Sequence, residues 1–303
     1  MRFIKQATHF DFIGHQKFFW ISSGIVILAS ILCLAIKGLN FGVDFAGGTS
    51  LQVVVSEDIT IAKLRDLVEG LKFKTSSVQS FGDKHGSFLI RVELTEEGIH
   101  GVAQKIENGF KQKFPGSTIT VESVESVGPK VGEELKRKGV LALVFSLMAI
   151  LIYVAIRFNF TYSPGGIVAL IHDVIVTLGF ISFFQVEFDI VTLAAILTII
   201  GYSINDTIVI YDRIRENIPK MKGSSIVDIC NKSLNETLSR TVLTSGTVLL
   251  TVSALFFLGG SVIHPFAFAM LVGVLAGTYS TIGIATPVFL WLHNMAEKRS
   301  YKK

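Results

Sequence analysis

The chain has 303 residues, half of them hydrophobic and 17% charged, with a mean hydropathy of +0.56. That balance excludes a soluble protein of this size, and the formal charge of +4 is too small to point to nucleic acid, so a polytopic membrane protein is expected. Windows of about 20 apolar residues, long enough to cross roughly 30 Å of hydrocarbon, occur six times, at 18–36, 139–157, 164–184, 189–211, 241–259 and 265–291.

Residues 1–17 precede the first window as a short cytoplasmic segment. Window 18–36 resembles a signal peptide at first sight, but "LASILCLAIKG" offers no small-x-small cleavage site and no small residue just before Cys33 for lipoprotein processing, so it is expected to be retained. Arg2, Lys5 and Lys17 precede this span, Arg157 follows the second, and Arg213, Arg215, Lys220, Lys222 and Lys232 lie between the fourth and fifth. Lys298, Arg299, Lys302 and Lys303 make residues 292–303 a basic tail, whereas the loops "QVEFD" and "GGSVIH" carry no Lys or Arg. The positive-inside rule therefore predicts six spans with both termini cytoplasmic. Cys33 falls in a span and Cys230 in a cytoplasmic loop, so no disulfide is expected.

Residues 37–138 form the one large exported piece. "SLQVVVS" alternates as a strand, Ile61, Leu64, Leu67, Val68 and Leu71 have helical spacing, and "SVQSFGDKHGSFLIRVEL" reads as two strands about a Gly-containing turn. "EEGIHGVAQKIENGFKQKF" predicts a helix and "STITVESVESVG" a last strand, the βαββαβ order of a ferredoxin-like α+β unit. Its Lys136, Arg137 and Lys138 do not violate the topology, since long exported domains escape the charge rule. At its start, "FGVDFAGGT" is Gly-rich but lacks the Gly-Lys-Ser/Thr of a nucleotide loop. Gly42, Asp44, Gly47 and Gly48 are read as a structural motif, with the glycines providing turns and close packing where the chain leaves the bilayer.

The seven His are scattered without metal-ligand spacing, and no nucleophile constellation, metal or cofactor is expected. The polar residues of the spans are more informative. Steps of three or four give Gly165, Ala169, Asp173 and Thr177 on span three, with His172 beside them, and Thr198, Tyr202, Asn205 or Asp206 and Val209 on span four. Span five gives Arg240, Thr244, Thr247 and Thr251, and span six Gly273, Gly277, Thr281 and Ala285, the last set read as close helix packing. Asp206, Arg240, Asp173 and His172 are the proton-coupling candidates, with Asn205, Tyr202 and Thr244 as supporting lining. At an effective dielectric near 20, charges about 4 Å apart attract by roughly 4 kcal/mol, so an acid on span four can be charged beside Arg240 and protonated away from it. The alternative for Asp206 and Arg240 is a buried ion pair that only fixes helix register.

"FGVDFAGGT", the "HD" of span three, "GYSINDTIVIYDRIREN" and "LSRTVLTSGT" together resemble the SecF family, the smaller membrane subunits of the bacterial SecDF translocation accessory, over nearly the whole chain. Val43 and Ala46 are mild variants within the Gly-rich motif. The resemblance implies membership of the resistance-nodulation-division superfamily, an inner-membrane location, and a SecD partner with six similar spans. It also implies association with the SecYEG channel and YajC, and use of the proton-motive force to assist preprotein export after SecA, a transport role and not an enzymatic one. Asp206 matches the family's proton-responsive acid and Arg240 its basic partner, while His172 and Asp173 match a pair of less settled role. Two other classes compete. An intramembrane aspartyl protease would use Asp173 with Asp206, but its Gly-x-Gly-Asp signature is absent, and a small-molecule exporter of the same superfamily would have two six-span halves and larger exported domains.

Overall fold

The computed structural model describes residues 8–56, 59–73, 76–80, 86–93, 98–158 and 162–300. In chain order the elements are α1 (Gln16–Lys37), β1 (Asn40–Phe41), α2 (Val43–Ala46), β2 (Gly48–Val55), α3 (Ile61–Gly70), β3 (Ser76–Ser80), β4 (Ser87–Val92), α4 (Gly98–Lys113) and β5 (Ile119–Val127). Then come α5 (Pro129–Arg157), α6 (Ser163–Phe184), β6 (Glu187–Phe188), α7 (Ile190–Lys220), α8 (Ile226–Leu258), α9 (Gly260–Ser280), a π-helical turn (Thr281–Ala285) and α10 (Thr286–Ser300). The Gly-containing turn expected after Ser80, and Arg2, Lys5, Lys302 and Lys303, lie outside the described residues.

Among the described residues six helices are long and apolar enough to cross a membrane: α1, α5, α6, α7, α8 and the run Val262–Ala296. Three of them extend well past the apolar windows. Gly128 in extended conformation and Pro129 in the first turn start α5 ten residues before the apolar stretch, so Lys136, Arg137 and Lys138 stand on the same helix as the second span. Asp189 caps α7 by accepting from the Thr192 amide at 2.7 Å, and Ser225 caps α8 through the Asp228 amide at 3.1 Å. Cys230 therefore sits buried within α8 and not in a loop. A hydropathy window sees only the apolar part of a helix, whereas caps and prolines set where it starts.

Strands β2 to β5 form one antiparallel sheet in the order β3-β4-β2-β5. Alternation directs Leu51, Val53 and Val55 of β2 and Phe88, Ile90 and Val92 of β4 to one face. There they meet Leu64, Leu67 and Val68 of α3 and Val102, Ile106 and Phe110 of α4, all buried in a core separate from that of the helical bundle. Each such side chain contributes about 1.5 to 3 kcal/mol when fully buried. The opposite face mixes Ser50, Gln52 and Arg91 with Val54 and Leu89.

In the bundle, α6, α7 and the α9–α10 run are buried over half or more of their apolar windows, while α1, α5 and α8 are buried over less than a fifth of theirs. Gly273, Gly277, Thr281 and Ala285 are all buried, and a Cβ on Gly277 would lie 3.0 Å from the Ser203 side chain, so this stripe closes α9 onto α7.

Candidate functional site

Asp173 is 1% exposed, midway along α6, and its carboxylate is held from three sides. Ser203 on α7 donates to Oδ2 at 2.6 Å, Ser280 on α9 donates to the same oxygen at 2.9 Å, and the adjacent His172 lies 3.0 Å from Oδ1 through Nδ1. Thr177 caps the arrangement by donating to the Asp173 carbonyl. The His172 ring stacks on Tyr279, whose hydroxyl donates to the Phe19 carbonyl at 2.7 Å and meets Ser22 at 2.6 Å, so the pair also reaches α1. His172 Nε2 is buried and finds no hydrogen-bond partner among the described residues. Every member of the stripe Gly165, Ala169, Asp173 and Thr177 is buried.

Asp206 is equally buried but held more loosely. At 3% exposure it receives a 3.4 Å hydrogen bond from Ser245 on α8, which itself accepts from Thr278 on α9 at 2.9 Å. Its hydrogen-bond partners are not those of Asp173, and among the described residues no hydrogen bond joins the two acids. Arg240 stands five residues before Ser245, on the exposed side of α8, and among the described residues no ion pair joins it to Asp206.

The remaining residues of the expected lining are less buried. Asn205 and Thr198 on α7 are exposed, Tyr202 is half-buried with its hydroxyl unpaired, and Thr247 and Thr251 on α8 are not buried. Thr244 donates to the Arg240 carbonyl of its own helix at 3.0 Å. Thr198, Asn205, Thr247 and Thr251 face out of the bundle, while Ser203, Thr207, Thr241 and Ser245 face in. Asp206 lies where the two faces meet.

The Gly-rich motif is a hinge-like clasp. β1 pairs in parallel with β6, the Gly42 amide donates to the Phe188 carbonyl, and Asp44 accepts from the Ile190 amide at 3.1 Å at the start of α7. Gly47 has φ +74°, and a Cβ there would lie 2.9 Å from the Pro129 backbone, so both conformation and space require glycine. The Arg91 guanidinium, from β4, donates to Glu187 on β6. Burial draws the Arg91 guanidinium below its ordinary range, and the nearby Asp189 and Asp44 carboxylates oppose that shift.

Two further arrangements were not legible in the sequence. The π-helical turn frees backbone carbonyls, and Tyr211 donates to that of Ala285 at 3.0 Å and Thr286 to that of Thr281 at 3.2 Å. Before α1, Asn235 pairs with both the amide and the carbonyl of Phe10, and Asn231 binds the Ile13 amide and the Asp11 carboxylate. The Gly14 amide, then the Asn231 side chain, hold the Asp11 carboxyl below the usual carboxylate range.

Comparison with known proteins adds a family context to this geometry. Residues 105–295 match the C-terminal family of the protein export membrane proteins SecD and SecF, and residues 34–59 match the SecD/SecF GG motif. A protein translocase subunit SecF from Calditerrivibrio nitroreducens is 42% identical over 98% of this chain and 99% of its own. One from Magnetococcus marinus is 45% identical over 96% and 94%. The crystal structure of SecDF, a translocon-associated membrane protein from Thermus thermophilus, matches with a TM-score of 0.85 at 36% identity over 97% of this chain, which spans 40% of that one.

Proposed function

The chain belongs to the SecF family of multi-pass membrane proteins, and from that premise we propose that it pairs with a SecD subunit to couple the proton-motive force to preprotein export through SecYEG, with YajC as a further companion. The observation that carries this reading is the outward polar face on α7 and α8. Thr198, Asn205 and Arg240 are exposed on helices that cross the bilayer, Arg240 at the edge of the fifth apolar window, and polar groups turned to lipid are costly. A second six-span bundle seated on this face would cover these groups and leave Asp206 at the seam. The larger length of the SecDF chain fits such a partner.

The small domain lies on the exported side of the inner membrane in this reading, with both termini cytoplasmic. Its sheet order β3-β4-β2-β5 with two helices on one face supports the ferredoxin-like assignment. Reporters fused near Lys222 and at the C-terminus are expected to be cytoplasmic, and one within residues 60–120 exported; an exported C-terminus overturns the orientation. Purification under mild detergent tests the partnership. A SecD-sized subunit and the channel should accompany the chain, and recovery of the chain alone from cells that make both defeats the proposal.

A further inference from the structure

The contact between the small domain and the bundle runs through β1 on β6 and α2 on α5. Beside it lies a cleft of about 560 Å³ whose walls include Gln52, Leu89 and Arg91 of the sheet and Glu187, Phe257 and His264 of the bundle rim. Across this space the Arg91–Glu187 ion pair joins the sheet to the bundle. Its side chains are 11% and 18% exposed, and Asp44 and Asp189 flank the guanidinium. Breaking such a pair leaves an uncompensated charge, so its partners tend to move together.

Glu187 sits at the tip of the α6–α7 hairpin. Asp173 lies fourteen residues before it on α6 and Asp206 nineteen residues after it on α7, about 21 Å and 28 Å along helices that rise 1.5 Å per residue. A tilt of about 10° at the level of Asp173 would displace the tip by roughly 4 Å, more than a hydrogen-bonded ion pair tolerates. The tip must then draw Arg91 with it or lose the contact, and the cleft gives the domain room to follow. We infer that Arg91 and Glu187 form a strut that transmits movement of the α6–α7 hairpin to the small domain, with Arg91 as a positioning residue for export. The inference rests on the proposed proton coupling for its purpose, but not for its geometry.

Two readouts separate these. In the full chain reconstituted with its SecD partner, Cys33 and Cys230 are replaced by Ala, and spin labels are placed through Glu122→Cys on β5 and Leu258→Cys at the bundle rim, both exposed positions. Arg91→Gln and Glu187→Gln should each broaden the label-to-label distance distribution and cut gradient-dependent stimulation of export at least fivefold, with partner co-purification intact. The exchange Arg91→Glu with Glu187→Arg should recover part of both. A distance distribution unchanged in the single variants overturns the strut, and so does a broadened one with full gradient response. If the distribution depends on Arg91 while the unmutated complex shows no response to a gradient, the strut stands and the proton-coupled reading fails.

Discussion

Asp206→Asn should leave the chain folded and partnered, yet reduce proton-gradient-dependent stimulation of export by more than tenfold. The contrast with Asp173 is the reason. Asp206 is buried, but its carboxylate is held by one 3.4 Å hydrogen bond from a serine, so exchange of an oxygen for an amide disturbs little. The amide keeps the volume, can still accept from Ser245, and cannot carry a proton on and off. One elementary charge crossing 100 mV carries about 2.3 kcal/mol, comparable to the few kcal/mol between conformers of a two-state element, so one acid suffices to bias a cycle. Arg240→Lys should be partly defective, because a flexible point charge replaces a planar fork. Export measured in vesicles with and without a gradient decides the matter. A full response in the Asn variant makes Asp206 a structural charge, and the register explanation then holds.

Asp173→Ala should instead destabilise the bundle, by about 2 to 4 kcal/mol. The carboxylate accepts from Ser203 and Ser280 and meets His172, so its removal leaves groups from α6, α7 and α9 without their common acceptor, and opens a void where helices are closely packed. Ser280 can fall back on the Gly277 carbonyl at 3.1 Å, which limits the loss, while Ser203 and His172 have no such alternative among the described contacts. Denaturant unfolding of the purified complex in detergent should show a lowered midpoint, with Asp206→Asn close to the unmutated chain. An unchanged midpoint for Asp173→Ala would mean that the three-helix junction relaxes without its acid.

The sequence makes the six spans and the βαββαβ order readable because both are written in hydrophobic periodicity, as in the alternation Leu51, Val53, Val55. The facing of α7 and α8 is not readable that way. Ile, Leu and Val occupy the buried side and the outer side alike, so period alone cannot say which stripe looks inward, and Asn205 and Asp206 differ by one residue yet fall on opposite sides of that line. The Asp173 junction is partly legible: the acid stands out in an apolar run, but Ser203 and Ser280 are ordinary residues until the fold brings them to it. Arg91 and Glu187 are 96 residues apart, on a strand and a loop-like tip, and no local pattern joins them.

The asparagine clasp before α1 carries a consequence for how the molecule is made. Phe10 and Asn235 are 225 residues apart, and synthesis at about 5 to 20 residues per second separates their appearance by roughly 11 to 45 s. During that interval the backbone groups of Phe10 and Ile13 have no Asn231 or Asn235 to meet, and water or insertion factors must serve them. The strap can close only after Asn231 and Asn235, at the start of α8, have emerged, which makes it a late step in biogenesis that still precedes the sixth span. A bulky fusion placed directly before Thr8 would therefore be tolerated through most of synthesis and be felt only late in it.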